Sequence, residues 1–486
     1  MTNKQKNPQE KDNQKEKIVE INNSKKNNQM KCPSCGASEL VPNPKTGKLR
    51  CNYCYTEFDG KELEGIEKNL KKLVGKRRGT GTKNIKEGTD DVVTLKCGSC
   101  GAEVVIDTQN APHARCHWCR SILSINSQIE NGAIPDVILP FQTPKEVAQQ
   151  KINDFVSKRQ FFANPTFKKE FTTENIMGVY FPYVLVDGNC HAKLSGKGEH
   201  LVRSYTTGSG DNKKTYYDAD LYKVERDFDI TIDDLTIETN SNRLDKTSIT
   251  QTNNIINSIM PFDTENCIEY QSNYLIGYSS ERRDLNLDDI ELKVNEELKD
   301  IAKYAAKEDA KFYDRGIRWE SEDFKIIGSQ WLAAYLPVWL YSYQEVKGNK
   351  KVLHYVAVNA RTNETMGSVP INTPLLLLIS TIIEIICGTI GIFIFFTTYT
   401  SDENDRDYIF LLLLAAGFIF YGVIYARYRN RSARHVYEKE TKKEVTNMKR
   451  VDELLEHKKR LKNPIIEGRN DNLLVGEKIR VNKKEE

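Results

Sequence analysis

No Gly-Lys-Ser or Gly-Lys-Thr follows a glycine-rich stretch in this 486-residue chain, so a P-loop is excluded despite Gly75, Gly79 and Gly81. Gly-x-Ser-x-Gly and His-Glu-x-x-His are also missing, which removes the nucleophile elbow and the helical zinc-protease motif. Cys190-His191 sets a thiol beside an imidazole, but neighbours on a strand face opposite sides, so the spacing is poor for a base activating its own nucleophile and favours a structural Cys and a surface His. No set of residues points to catalysis, and none marks a small-molecule substrate. The expectation is a protein that is not an enzyme. Residues 1–31 have almost no apolar side chains and carry eight lysines against four acids, so no secretory signal is expected there. That composition cannot offset chain entropy, and residues 1–30 read as a disordered basic tail.

What the chain does have is cysteine in a pattern. Cys32-x2-Cys35 and Cys51-x2-Cys54 are separated by fifteen residues, and Cys97-x2-Cys100 and Cys116-x2-Cys119 repeat that spacing. A Cys-x2-Cys turn grips one ion with two thiolates, and two such turns complete a tetrahedron. Gly36 and Gly101 permit the turn that frees backbone N–H groups toward sulfur. Four cysteines fill each site, so both are expected to be closed, structural Zn2+ sites, with His113 and His117 as alternate ligands. Both units resemble zinc ribbons, the small rubredoxin-like β modules also found in transcription factor IIB. They are placed at 31–58 and 96–125.

The segment between them, 59–95, reads as a helix and a basic linker. Leu63, Ile66, Leu70, Leu73 and Val74 form a helical stripe over Asp59–Val74, with Asp59 as cap. From Lys71 to Lys86 there are seven Lys/Arg and no acid. With Tyr53, Tyr55 and Trp118 nearby, Lys76, Arg77, Arg78 and Lys83 are candidate nucleic-acid contacts, since cations suit phosphates and aromatic rings suit bases. The alternative is a solvated linker beside aromatics that belong to the ribbon cores.

Residues 134–370 read as an α+β, mostly antiparallel body with an internal duplication, in copies at about 134–200 and 255–370. Leu139-Pro140-Phe141 and Met260-Pro261-Phe262 open the copies, and a helix follows in each. Tyr180-Phe181-Pro182 and Tyr335-Leu336-Pro337 then mark equivalent strands, where proline predicts an edge or a bulge. Leu201–Thr239 alternates like a solvent-facing hairpin, turning at 208–212.

Two apolar runs, Leu375–Phe396 and Tyr408–Ala426, are each about long enough to cross a ~30 Å hydrocarbon core. An acidic loop separates them and Arg427, Arg429, Arg431 and Arg434 follow, so a two-helix transmembrane hairpin over 374–426 is expected, with both termini cytosolic. Glu384, worth roughly +2.5–3.5 kcal/mol at a bilayer centre, should be neutral and bonded to Ser380, Thr381 or another protomer. Residues 427–486 carry 18 Lys/Arg against 11 Asp/Glu and read as a basic cytosolic tail held by anionic lipid.

The cysteine pairs, Leu139-Pro140-Phe141, Gly178-Val179-Tyr180-Phe181-Pro182, Tyr335-Leu336-Pro337-Val338-Trp339 and Val358-Asn359-Ala360-Arg361-Thr362 occur in this order. In these the chain resembles a family of bacterial membrane proteins with tandem IIB-type zinc ribbons, some labelled primosomal-helicase-like. The resemblance implies an architecture, and the helicase label does not transfer, because this chain has neither the nucleotide-binding motif nor the length for motor domains. The expected function is a plasma-membrane-tethered adaptor that binds a cytosolic or membrane protein. The alternative is a membrane-anchored nucleic-acid binder.

Overall fold

The computed structural model describes residues 18–21, 30–82, 92–107, 114–123, 128–129, 134–207, 214–240, 251–252, 256–347, 350–397, 413, 415–429, 432–433 and 435–461. Lys83, His113, the 208–212 turn and most of the expected basic N-terminal tail lie outside these residues, as does the acidic loop before Tyr408.

In chain order, β1 (Ile18–Ile21) is followed by a small separate sheet of β2 (Leu40–Pro42), β3 (Leu49–Cys51) and β4 (Glu57–Phe58). Then come β5 (Gly75–Gly79), β6 (Val92–Lys96), β7 (Glu103–Asp107), β8 (Gln128–Ile129) and β9 (Val137–Ile138). Helices α1 (Lys145–Ser157) and α2 (Pro165–Glu170) lead into the long strands β10 (Met177–Thr207) and β11 (Lys214–Glu238). Short strands β12 (Gln251–Thr252), β13 (Ile268–Glu269) and β14 (Ser279–Glu281) precede α3 (Leu287–Asp309). The chain continues through β15 (Ile317–Lys347), β16 (Lys350–Asn359), β17 (Thr365–Gly367), α4 (Thr373–Thr397), α5 (Ala416–Arg429), β18 (Ser432–Ala433) and β19 (Lys442–Leu461). Among the described residues one mixed sheet of 14 strands holds most of them. Its long ladders are antiparallel, and β1, β5, β9 and β14 join in parallel.

At its centre β10 and β15 run antiparallel, with Tyr180 opposite Pro337, Phe181 opposite Leu336 and Pro182 opposite Tyr335. The two landmarks therefore face each other about a local two-fold. On its outer side β10 pairs with β14 at Val179 and Tyr180 and with β11 from Tyr183 onward. β15 repeats this, pairing with β9 at Ala334 and Tyr335 and with β16 from Val338 onward. Each unit is thus β–α–β–β, and each short first strand pairs with the other unit's long strand. The helices are exchanged too: α1 packs on β15 and β16, and α3 on β10 and β11.

The prolines mark neither an edge nor a bulge of the central ladder. Pro182 and Pro337 sit where one outer neighbour has ended and the next has begun, so the missing N–H has no partner to fail. Their carbonyls accept from equivalent donors, Thr239 N–H at 3.4 Å and Ala360 N–H at 3.2 Å. The second unit's short strand is Ser279–Glu281, whereas its expected opener Met260-Pro261-Phe262 is irregular chain. The first unit also runs on to Glu238, well past residue 200.

Helix α3 buries Ile290, Val294, Leu298, Ile301 and Ala305 as the spacing requires, and Asn286 and Asp289 form its capping box. Helix α1 buries Ala148, Ile152, Phe155 and Val156. The Thr143 hydroxyl just before it donates to Asn363 Oδ1.

The helix expected over Asp59–Val74 does not form; the segment is irregular apart from one 3-10 turn at Leu70–Lys72. Gly65, at φ +87°, interrupts it, and tertiary partners take its backbone groups. Gln330 accepts from Glu67 N–H, and Asn189 donates to the carbonyls of Lys71 and Leu73. Leu63 and Leu73 are still buried, so the stripe marked a core contact rather than a helix. Within the expected tail, Ile18–Ile21 is a strand parallel to β5, with Ile21 buried. At the other end, 442–461 is not a lipid-held tail but the strand β19, antiparallel to β11.

Among the described residues one helix, over Thr373–Phe393, is long and apolar enough to cross a membrane. The described part of the second apolar run is the 14-residue α5, too short to span, so a two-helix hairpin is not supported by the described residues. Glu384 accepts from the backbone N–H of Gly417 at the start of α5, not from Ser380 or Thr381.

Candidate metal centres

All eight paired cysteines come together as the spacing requires, in two sets of four whose sulfurs lie within 4.8 Å of one another. In the first, Cys32 and Cys54 are 3.5 Å apart and Cys35 and Cys51 3.6 Å. In the second, Cys97 and Cys119 are 3.4 Å apart and Cys100 and Cys116 3.6 Å. A tetrahedral ion with metal–sulfur bonds of ~2.3 Å sets its sulfurs about 3.8 Å apart, so either set could hold a metal.

Each centre is built from two turns of one kind. The residue after the second cysteine donates its N–H to the first cysteine's carbonyl: Gly36 to Cys32, Tyr55 to Cys51, Gly101 to Cys97 and Arg120 to Cys116. All four residues have positive φ, between +60° and +80°. Glycine adopts this freely, whereas Tyr55 and Arg120 cost roughly 1–2 kcal/mol each. The glycines were legible in the sequence; the two strained residues were not.

The first centre packs on the body through side chains, with Leu40, Leu49 and Cys51 buried in one core with Phe141, Tyr270 and Tyr274. The second is hydrogen-bonded into the main sheet, because β7 pairs with β14. Trp118 Nε1–H donates to Glu281 Oε1 at 2.5 Å, and the Ser342 hydroxyl donates to the His117 carbonyl at 2.6 Å. His117 is wholly buried against Ser279 and Glu281, so it serves that joint and not the thiol set. Trp118 meets Phe181 and Tyr355 edge-on.

The basic linker is also part of the fold. Lys76 is buried, bonded to Glu291 at 2.5 Å and lying over the Trp331 ring. Arg78 also reaches Glu291, at 3.7 Å, and Arg77 donates to the Gly65 carbonyl. The glycines after it wrap a buried carboxylate. Asp136 accepts from Gly81 N–H at 2.7 Å and Ala333 N–H at 2.8 Å, and a Cβ on Gly79 would stand 2.1 Å from it. Burial pushes the Asp136 carboxyl up to about 6. Cys190, too, is buried and its thiol raised to about 12, while His191 bonds to Asp229, so that pair holds no nucleophile–base couple.

Among the described residues two further carboxylate groups gather ligand atoms, Asp187 with Asp233 and Asp234, and Glu297 with Asp300 and Glu438. Asp187 accepts from Asp234 N–H and from Gln330, and burial, then the Asp234 charge, raises its carboxyl to about 7. Aspartates inside apolar stretches, as in Ile134-Pro135-Asp136-Val137 and Val184-Leu185-Val186-Asp187, were the available signal for such buried acids.

Where both centres meet the body there is a cleft of about 750 Å³. Pro42 lines it from the first unit, Arg115 and Arg120 from the second, and Lys145, Glu174 and Trp339 from the body. The Arg120 guanidinium lies 4.4 Å from the centre of the Tyr341 ring.

No family model matches the chain, and no solved structure matches it. It is similar to a protein of Bacillus subtilis (strain 168) described as "Uncharacterized protein YdjG", with 22% identity over 343 residues, covering 70% of this chain and 90% of that one.

Proposed function

We propose that the protein is a membrane-tethered, non-enzymatic adaptor with two structural Zn2+ ions and a cytosolic docking surface for another protein. The observation that carries this reading is the cleft where both cysteine centres converge on the body. Each centre has four sulfurs and no open position, so an ion there would shape the cleft's walls and activate no water. Arg115, Arg120 and Lys145 make the lining basic, and Pro42 and Trp339 supply apolar surface. That mixture suits an acidic protein segment with apolar anchors.

The tether in this reading is a two-pass anchor with both termini cytosolic. Supporting it are α4, the second apolar run ending in α5, the arginines after it, and the Gly417–Glu384 bond between the two helices. A Cβ on Gly417 would stand 2.4 Å from the Ser380 carbonyl oxygen, so the helices cross closely.

The nucleic-acid alternative loses ground at Lys76, Arg77 and Arg78, whose cationic groups are occupied within the fold. The deciding experiment places a photo-crosslinking residue at Arg115 of the full chain in native membranes and at an exposed control such as Leu292. A discrete protein adduct at Arg115 alone is expected. Adduct to nucleic acid, with affinity falling at a log–log salt slope of ~0.9 per phosphate neutralised, sinks the adaptor reading.

A further inference from the structure

We propose that β19 is a pairing edge for a second copy of this chain, the two strands running antiparallel about a two-fold axis through Val451. β19 has 20 residues, whereas strands run to about 5–6. One of its edges pairs with β11, and no strand among the described residues pairs with the other. Natural edges this long are ordinarily blunted by charged side chains, proline or bulges, and β19 does carry charge along much of its length. β19 has no proline, and its positive-φ residues, Asn447 and Lys458, lie outside the stretch from 449 to 454. There the register with Tyr222–Asp227 is unbroken.

That stretch is self-complementary. Lys449-Arg450-Val451-Asp452-Glu453 carries two cations, an apolar centre and two acids, so reversing it inverts its charge. Centred on Val451, antiparallel pairing sets Lys449 opposite Glu453, Arg450 opposite Asp452 and Met448 opposite Leu454, each pair occurring twice. Moving the centre one residue either way sets Arg450 against Arg450 or Asp452 against Asp452, and like charges directly opposite oppose pairing. Alternation puts Lys449, Val451 and Glu453 on one face. On the other face Arg450 is held by Asp309 and Asp452 by Arg226 and Tyr313, so the strand is already rigid before a partner arrives.

Exposed ion pairs select a register more than they drive association. The backbone ladder and the exposed Val451, Leu454 and Leu455 supply the attraction. The area is modest, but a chain held in a membrane meets its copies at raised effective concentration. A closed two-fold contact consumes the edge and stops at a dimer.

The test is disulfide trapping of full-length Val451→Cys in membranes under mild oxidation, against wild type and Leu454→Cys. At the two-fold the Cα atoms approach to ~4.5–5.5 Å, within disulfide range. At position 454 the two copies would instead stand about 20 Å apart along the strands. Dimer well above the wild-type background for V451C, and none above it for L454C, is expected. Lys449→Glu should cut that dimer at least several-fold, and adding Glu453→Lys should restore it. Equal trapping at 451 and 454, no dimer at 451, or a V451C adduct to a different polypeptide would each overturn the proposal.

Discussion

The two cysteine units share one motif and one spacing, yet they are built into the molecule differently. The first stands on its own three-stranded sheet and, among the described residues, meets the body by side-chain packing and the Met30–Asn273 bond. The second lends β6 and β7 to the main sheet and hydrogen-bonds to β14 and β15 through Trp118 and His117. Identical ligand spacing therefore says nothing about mechanical coupling. The residues between and beyond the cysteines decide that.

The largest expected effect separates the units directly. Cys35→Ser and Cys100→Ser should each lower bound zinc from two ions to one per chain, since structural zinc contributes on the order of 10 kcal/mol to folding its own module. Independent modules would leave the body untouched in both cases. With β7 in the main sheet, C100S should also expose the body to limited proteolysis and lower its melting temperature, while C35S does so much less. Equal body damage from both would break the comparison.

Trp118→Ala comes next. It removes a buried ring from the joint between the second unit and Phe181 and should cost roughly 3–5 kcal/mol by chemical denaturation of the body. Tyr53 and Tyr55 in the first unit are exposed, and alanine at Tyr53 should change stability by no more than about 0.5 kcal/mol.

Asp136 tests the linker between the units. Asp136→Asn turns one acceptor into a donor facing Ala333 or Gly81 N–H, at a cost of about 1–3 kcal/mol. The carboxyl's folded pKa of about 6 lies above the unfolded value near ~3.9, so the folded state holds this proton more tightly. Its contribution is full below the unfolded pKa and is lost as pH rises through about 6. Melting curves of wild type and D136N should therefore converge as pH rises from 4 to 7. A constant gap would contradict the buried-acid assignment.

The smallest effect sharpens the comparison most. Tyr55→Gly should relieve positive-φ strain of roughly 1–2 kcal/mol but lose the exposed Arg50 cation–π contact of about 0.5–1 kcal/mol, and so stabilise the first unit by up to about 1 kcal/mol. Arg120→Gly gains the same relief but loses the cation–π contact with Tyr341, so its net change should lie near zero. Metal-release midpoints in denaturant compare the two.

Much was legible in the sequence for local reasons. Four-cysteine spacing brings its ligands together through turn geometry alone, and α3 follows its apolar period. The Tyr-Phe-Pro and Tyr-Leu-Pro landmarks are opposed at the centre of the sheet. The Asp59–Val74 stripe misled because Asn189 and Gln330, more than a hundred residues away, take the hydrogen bonds a helix would have made. The linker's cations misled because Glu291 lies on a helix that the sequence does not set beside them.

By itself the sequence determined the two thiol sets, the apolar helix at Thr373–Phe393 and the repeated helix followed by a proline-marked strand, each written in spacing over a few residues. The tertiary structure alone decided that short strands and helices are exchanged between the two units. It also decided that the second cysteine unit joins the main sheet and that residues 442–461 return as its edge. Backbone hydrogen bonds between distant strands are indifferent to most side chains, so no local pattern announces which strand a segment will join.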